Sequence, residues 1–186
     1  SRTFYDLGII HPEGNITSGD AHIAVHYERM LAEGLIGYRR RAEALLASLD
    51  LTEPEQLRKS FFYRAVLITL DAVIAFAHRY ADLAADLAGT EPDEVRRAEL
   101  HQISRILTRV PEHPAQTFHE AIQAVWLIQL CLQIESNGHS LSYGRFDQFL
   151  HRYYAADLEA GRITPDQATE LLTNLWLKTF SLAKIR

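Results

Sequence analysis

Between two long apolar-periodic segments lies the stretch Glu135-Ser136-Asn137-Gly138-His139-Ser140-Leu141-Ser142-Tyr143-Gly144-Arg145-Phe146-Asp147-Gln148. Its two glycines, six residues apart, make it a loop or tight turn rather than helix. It gathers an imidazole, two later hydroxyls, an amide, a phenol and an Arg-x-Asp triplet, more hydrogen-bonding groups than a packed chain usually sets between two hydrophobic neighbours without a use for them. The plain structural alternative is a polar elbow in which Asn137, Ser140 and Asp147 cap the adjoining helix ends. A second polar loop runs from His11 to Asp20, includes Asn15, and is followed directly by His22. Two such loops can converge on one pocket above a helical scaffold.

Other constellations carry less. His22 and His26 stand at i and i+4, a spacing able to hold a metal, but neither a following Glu nor a third ligand accompanies them, so no metal is expected. Ser140, His139 and Asp147 are too close in sequence to face one another as a triad, and no nucleophile elbow is present. No glycine-rich phosphate loop occurs. Cys131 sits between Leu130 and Leu132 without a neighbouring cation to activate it.

The elements that must position these groups read as helices. The 186 residues, 47% hydrophobic and 23% charged, suffice for one domain with a real core. A net charge of −5 without a basic stripe argues against nucleic acid. A single cysteine fits a reducing, cytoplasmic setting. Thr69 and Asp71 interrupt the longest apolar run, so no membrane span is expected. Ser1 is not Met and Arg186 carries no terminal signal, so both ends are expected to be cuts from something longer. Apolar residues recur at three or four over 21–49, 53–88, 93–109, 115–134, 146–160 and 165–182, which predicts six helices and a mostly α fold. Asp20 is the expected cap of the first, with His22 in its opening turn; Gly34 and Gly37 mark a close helix contact there. Thr52-Glu53-Pro54, Thr90-Glu91-Pro92 and Thr164-Pro165 predict further helix starts, and Gly89 an end. Residues 61–77 are apolar almost all round and should be buried on most faces. Arg64, Asp71 and His78, seven apart, must find partners on other elements or reach solvent. The one strand expected is at 4–10.

The same residues resemble the glycyl radical enzymes, specifically the branch with glycerol and propanediol dehydratases. The carriers are Gly19-Asp20-Ala21-His22 with Tyr27, Leu31, Gly34, Leu35 and Gly37; His78-Arg79-Tyr80-Ala81; Phe118-His119-Glu120-Ala121 with Trp126; and Glu135-Ser136-Asn137-Gly138-His139-Ser140 with Arg145-Phe146-Asp147-Gln148. The resemblance covers nearly all 186 residues. It implies an incomplete, N-terminal six-helix portion of a pyruvate formate-lyase-like domain, whose whole is a ten-stranded α/β barrel wrapped by helices. The family's Gly-Cys-x-Glu-Pro and Arg-Val-x-Gly-Tyr motifs do not occur here, so the chain by itself is expected to be inactive.

By that resemblance, His22 serves as the catalytic group that protonates a departing hydroxyl, and His139, Ser140 and Asn15 contact substrate. Asn15 lies one residue from the ungapped position of the family's asparagine. The implied reaction is thiyl-initiated loss of water from a small diol or related hydroxy compound. An imidazole titrating near neutral pH suits the proton it needs. The implied cofactor is a glycyl radical elsewhere in the parent, installed by an S-adenosylmethionine/iron–sulfur activating enzyme. The other implied partners are the remainder of the barrel and a second copy in a homodimer. Alternatives are C–C cleavage as in formate C-acetyltransferase, a choline-type C–N lyase, or a non-catalytic helical assembly module.

Overall fold

The computed structural model describes residues 3, 6–8, 22–136 and 140–182. Among them six helices appear in chain order: α1 (Tyr27–Ala47), α2 (Pro54–Thr90), α3 (Glu94–Arg109), α4 (Phe118–Glu135), α5 (Phe146–Glu159) and α6 (Pro165–Phe180). Two short strands, β1 (Ile23–Ala24) and β2 (Leu141–Ser142), pair in parallel across the bundle. The expected strand at 4–10 is not seen where it is described: Asp6 is helical, and Leu7 N–H donates to the Thr3 carbonyl at 3.0 Å.

The first helix starts later than its period suggests. Residues 23–24 are claimed by the strand pair, so α1 begins at Tyr27, and its cap is His26, whose Nδ1 accepts from Arg29 N–H at 3.4 Å. His22 is therefore not in a helical first turn, and the expected Asp20 cap lies outside the described residues. Seven residues on, α1 kinks at Gly34, which has φ 65° and ψ 170°. The segment following α3 enters the kink. Leu35 N–H donates to Pro111 O at 2.8 Å, Ile36 N–H to Glu112 O at 2.9 Å, and Ala115 N–H to Leu31 O at 3.0 Å. The amides and carbonyl released by the kink are thus satisfied by the strap. A Cβ on Gly34 would lie 2.4 Å from Glu112 O, so the predicted close contact at this glycine is real, though its partner is a loop.

The longest helix, α2, lies against α1 and α3 and buries a stripe of small residues, Ala77, Ala81, Ala84 and Ala88. Asp71 accepts from Arg39 Nε of α1 at 2.9 Å, and His78 Nε2 stands 3.1 Å from a Glu112 carboxylate oxygen, while Arg64 is exposed. These are the partners on other elements that the spacing demanded. The expectation that 61–77 is buried on most faces fails: Phe61 is 60% and Ile68 71% exposed. One face meets the neighbouring helices, and no described segment reaches the other. By length and composition alone α2 is apolar enough to cross a membrane. Its Asp71 and His78 contacts are those of a helix packed in a bundle.

Caps place the remaining helices. Asp93, not Thr90, caps α3 by accepting from Arg96 N–H at 2.8 Å; Gly89 does not stop α2, which continues to Thr90. Thr52 likewise turns back to Asp50, and Glu53 precedes α2 without a side-chain cap. Thr117 caps α4, which starts at Phe118, three residues later than 115, and Thr164 with Gln167 forms a reciprocal capping box on α6. Asp157, 3% exposed, accepts from Phe118 N–H at 2.7 Å and pairs with Arg162, so α5 fixes the start of α4. The core between α1, α4, α5 and α6 is built on Tyr27, Leu31, Phe118, Val125, Phe149 and Leu175.

Candidate active site

The two strands are the device that joins the two polar loops. Ile23 pairs with Leu141 and Ala24 with Ser142, and Ile23 N–H donates to the Ser140 carbonyl at 3.0 Å. Extending that register by one residue sets His22 beside Ser140. Side chains alternate across a strand, so the faces of His22 and Ala24, and of Ser140 and Ser142, coincide. Together with Ile23, Leu141 and Gln133 of α4 these four residues line a half-open cavity of about 420 Å³. His139 and Asn15, the other expected substrate contacts, lie outside the described residues.

Ser140 has φ 50°, a left-handed conformation that a residue with a Cβ adopts at a cost. Of the residues considered as helix caps, Asn137 lies outside the described residues, and neither Ser140 nor Asp147 holds a cap position of α4 or α5. Arg145 occupies the cap position of α5 without a capping bond, and Ser140 sits at the mouth of β2. After β2 the chain turns sharply: Gly144 N–H donates to Ser142 Oγ at 2.9 Å with Gly144 at φ 68°.

The site rests on a buried polar network that the sequence reading passed over. Tyr27, fully buried at the start of α1, donates its hydroxyl to Gln129 Oε1 at 2.6 Å. Gln129 Nε2 then donates to the Leu141 carbonyl at 3.2 Å. Burial, with Tyr143 nearby, pushes the Tyr27 phenol well above the usual tyrosine range, so it remains a neutral donor. Tyr143, just past β2, is likewise pushed up by burial; it donates to Thr179 of α6 at 2.7 Å, since the Thr179 hydroxyl itself donates to Leu175 O. Phe149 stacks at 5.6 Å from the Tyr27 ring and Trp176 edges onto Tyr143. Nothing in the sequence singles out Gln129 for this network: it is one of three amides in α4, with Gln123 and Gln133. Cys131, on the same helix, has its thiol pushed up by burial, the opposite of activation.

A mostly helical scaffold thus presents a histidine and a serine from two parallel strand ends to one half-open cavity, an arrangement able to hold a small polar molecule. The particular family follows from comparison: the model of the pyruvate formate lyase-like family matches residues 1–186, and the chain belongs to that family. A relative from Escherichia coli (strain K12), "Probable dehydratase YbiW", is 43% identical over 180 residues, covering 96% of this chain and 22% of that protein. A solved structure concerned with 1,2-propanediol dehydration in Roseburia inulinivorans is 43% identical with a TM-score of 0.87, covering 90% of this chain and 21% of that one. A glycyl radical enzyme from Archaeoglobus fulgidus superposes with a TM-score of 0.82 at 38% identity, over 87% of this chain and 21% of its own. The chain thus spans about a fifth of the length of the relatives it matches.

Proposed function

We propose that this chain supplies the hydroxyl-handling wall of a glycyl radical dehydratase acting on a small diol. The observation that carries the reading is the Ile23–Ser140 bond, which sets His22 and Ser140 side by side on one cavity. A glycyl radical elsewhere in the full-length protein would supply, by way of a thiyl radical, hydrogen abstraction from the hydroxyl-bearing carbon. His22 gives a proton to the departing hydroxyl, which leaves as water; the retained hydroxyl loses its proton as it becomes the carbonyl, and the abstracted hydrogen returns to the carbon that lost the hydroxyl. Ser140 fixes the retained hydroxyl, with His139 and Asn15 as the further substrate contacts. The net change for propane-1,2-diol is propanal plus water. The same reading includes a radical S-adenosylmethionine activating enzyme, a homodimeric full-length protein and a cytoplasmic location.

His22→Ala in the activated full-length protein should lower turnover of propane-1,2-diol by about 10²–10⁴, the usual contribution of a general acid. The glycyl radical signal should stay at its normal intensity. Normal turnover by this variant would end the assignment.

A further inference from the structure

Resting on that reading, we propose that Gln129 is the positioning residue of the site. Its amide, anchored on the Tyr27 hydroxyl, holds the Leu141 carbonyl and thereby sets where Ser140 and His22 stand.

The chemistry of the three groups leaves one arrangement. The Leu141 carbonyl is an obligatory acceptor, so the amide must turn Nε2 toward it. Oε1 then faces Tyr27, which has a proton to give. Flipping the amide would oppose two acceptors. Gln129 is 2% exposed, so its amide stays in place only if both ends are bonded. A leucine would be the cheaper choice at that point on α4. The strained backbone explains what the amide does there. Ser140 at φ 50° is held from both sides, its own carbonyl by Ile23 N–H and the next carbonyl by Gln129. Such strain persists only where the surroundings over-determine it. Release of the Leu141 carbonyl lets Ser140 relax toward the extended region. That turns its hydroxyl away and loosens the bond from Ile23 N–H to the Ser140 carbonyl.

The test uses the activated full-length protein with propane-1,2-diol as probe. Gln129→Leu should lower kcat by roughly 10–100-fold, the effect of misplacing groups by about an ångström. KM should move less than kcat, and amide exchange at Ile23 should accelerate. Melting temperature and radical content should stay near wild type. Gln129→Met, which keeps close to the volume but can donate nothing to the Leu141 carbonyl, should lose kcat in the same way. It carries the test if the leucine variant does not fold. Wild-type kcat and Ile23 protection in either folded variant, alongside an inactive His22→Ala, would overturn the inference and leave the site reading standing. A loss that merely follows melting temperature or radical content would also overturn it. Full turnover by His22→Ala would instead remove the site reading, and Gln129 as its positioning residue with it.

Discussion

Two seams in this molecule join segments far apart in the chain, and both use a backbone in the left-handed region. At the α1 kink the residue is Gly34, and the strap around Glu112 closes on it through backbone bonds alone. At the strand pair the residue is Ser140, and the closing bond on its far side comes from the side chain of Gln129. In the first seam no room remains even for a methyl group; beside the second stands a cavity of about 420 Å³. Glycine adopts this conformation without a Cβ penalty. A serine there accepts strain to present a hydroxyl. The difference separates irregular backbone that serves packing from irregular backbone that serves a site.

The sharpest way to break this comparison is at the packed seam. Gly34→Ala sets a Cβ 2.4 Å from Glu112 O and 2.6 Å from the His113 carbonyl carbon, in a conformation that already penalises it. The expected loss is about 3 kcal/mol or more, seen as a lowered urea midpoint. A loss below about 1 kcal/mol would show that the strap yields, and the contrast would vanish. Ser140→Gly should act oppositely and more weakly. Relief of the left-handed strain should roughly offset or exceed the added flexibility of the unfolded chain, leaving stability level or up by as much as about 1 kcal/mol. Turnover should fall because the hydroxyl is gone. A clear destabilisation would mean that Ser140 is not strained.

The smallest effect expected is a pH dependence on the packed side. His119 of α4 sits 3.2 Å from Gln102 of α3, and burial lowers its affinity for a proton from the ordinary 6.5, although Glu120 opposes this. The unfolded chain binds that proton more readily, so stability declines as pH falls below 6.5 and the decline levels off below the folded value. His119→Gln should flatten that slope in denaturation curves taken at successive pH values. An unchanged slope would place the dependence elsewhere.

Much of this architecture was legible because helices announce themselves locally. The period of apolar residues located all six, the Thr164–Gln167 box is written in four consecutive residues, and the spacing of Asp71 and His78 required partners outside α2. What escaped depends on distant partners. Two-residue strands have no alternation to detect, and β1 exists because β2 is there to receive it. The same pairing moved the start of α1 from Ala21 to Tyr27. The exposed face at Phe61 and Ile68 could not be foreseen, since an apolar run states that a face is to be covered without stating by what. In the candidate site, His22 and Ser140 could be singled out from the polar stretches they adjoin, and the strand pairing brings them to one cavity. Gln129 was hidden because an amide among apolar neighbours, one of three in α4, gives no hint of which carbonyl it will meet.

The bond between Tyr27 and Gln129 spans 102 residues, and α2 and α3 lie wholly within that span. Closing so long a loop costs chain entropy before any contact repays it, so contacts of this kind form late and slow folding. The short-range helical hairpin of α2 and α3 has no such delay. The order of assembly therefore runs from scaffold to chemistry. The helices between the two strands must first shorten the distance, and only then do His22 and Ser140 acquire a common wall. A chain caught partway through folding has its bundle but no place to bind a substrate.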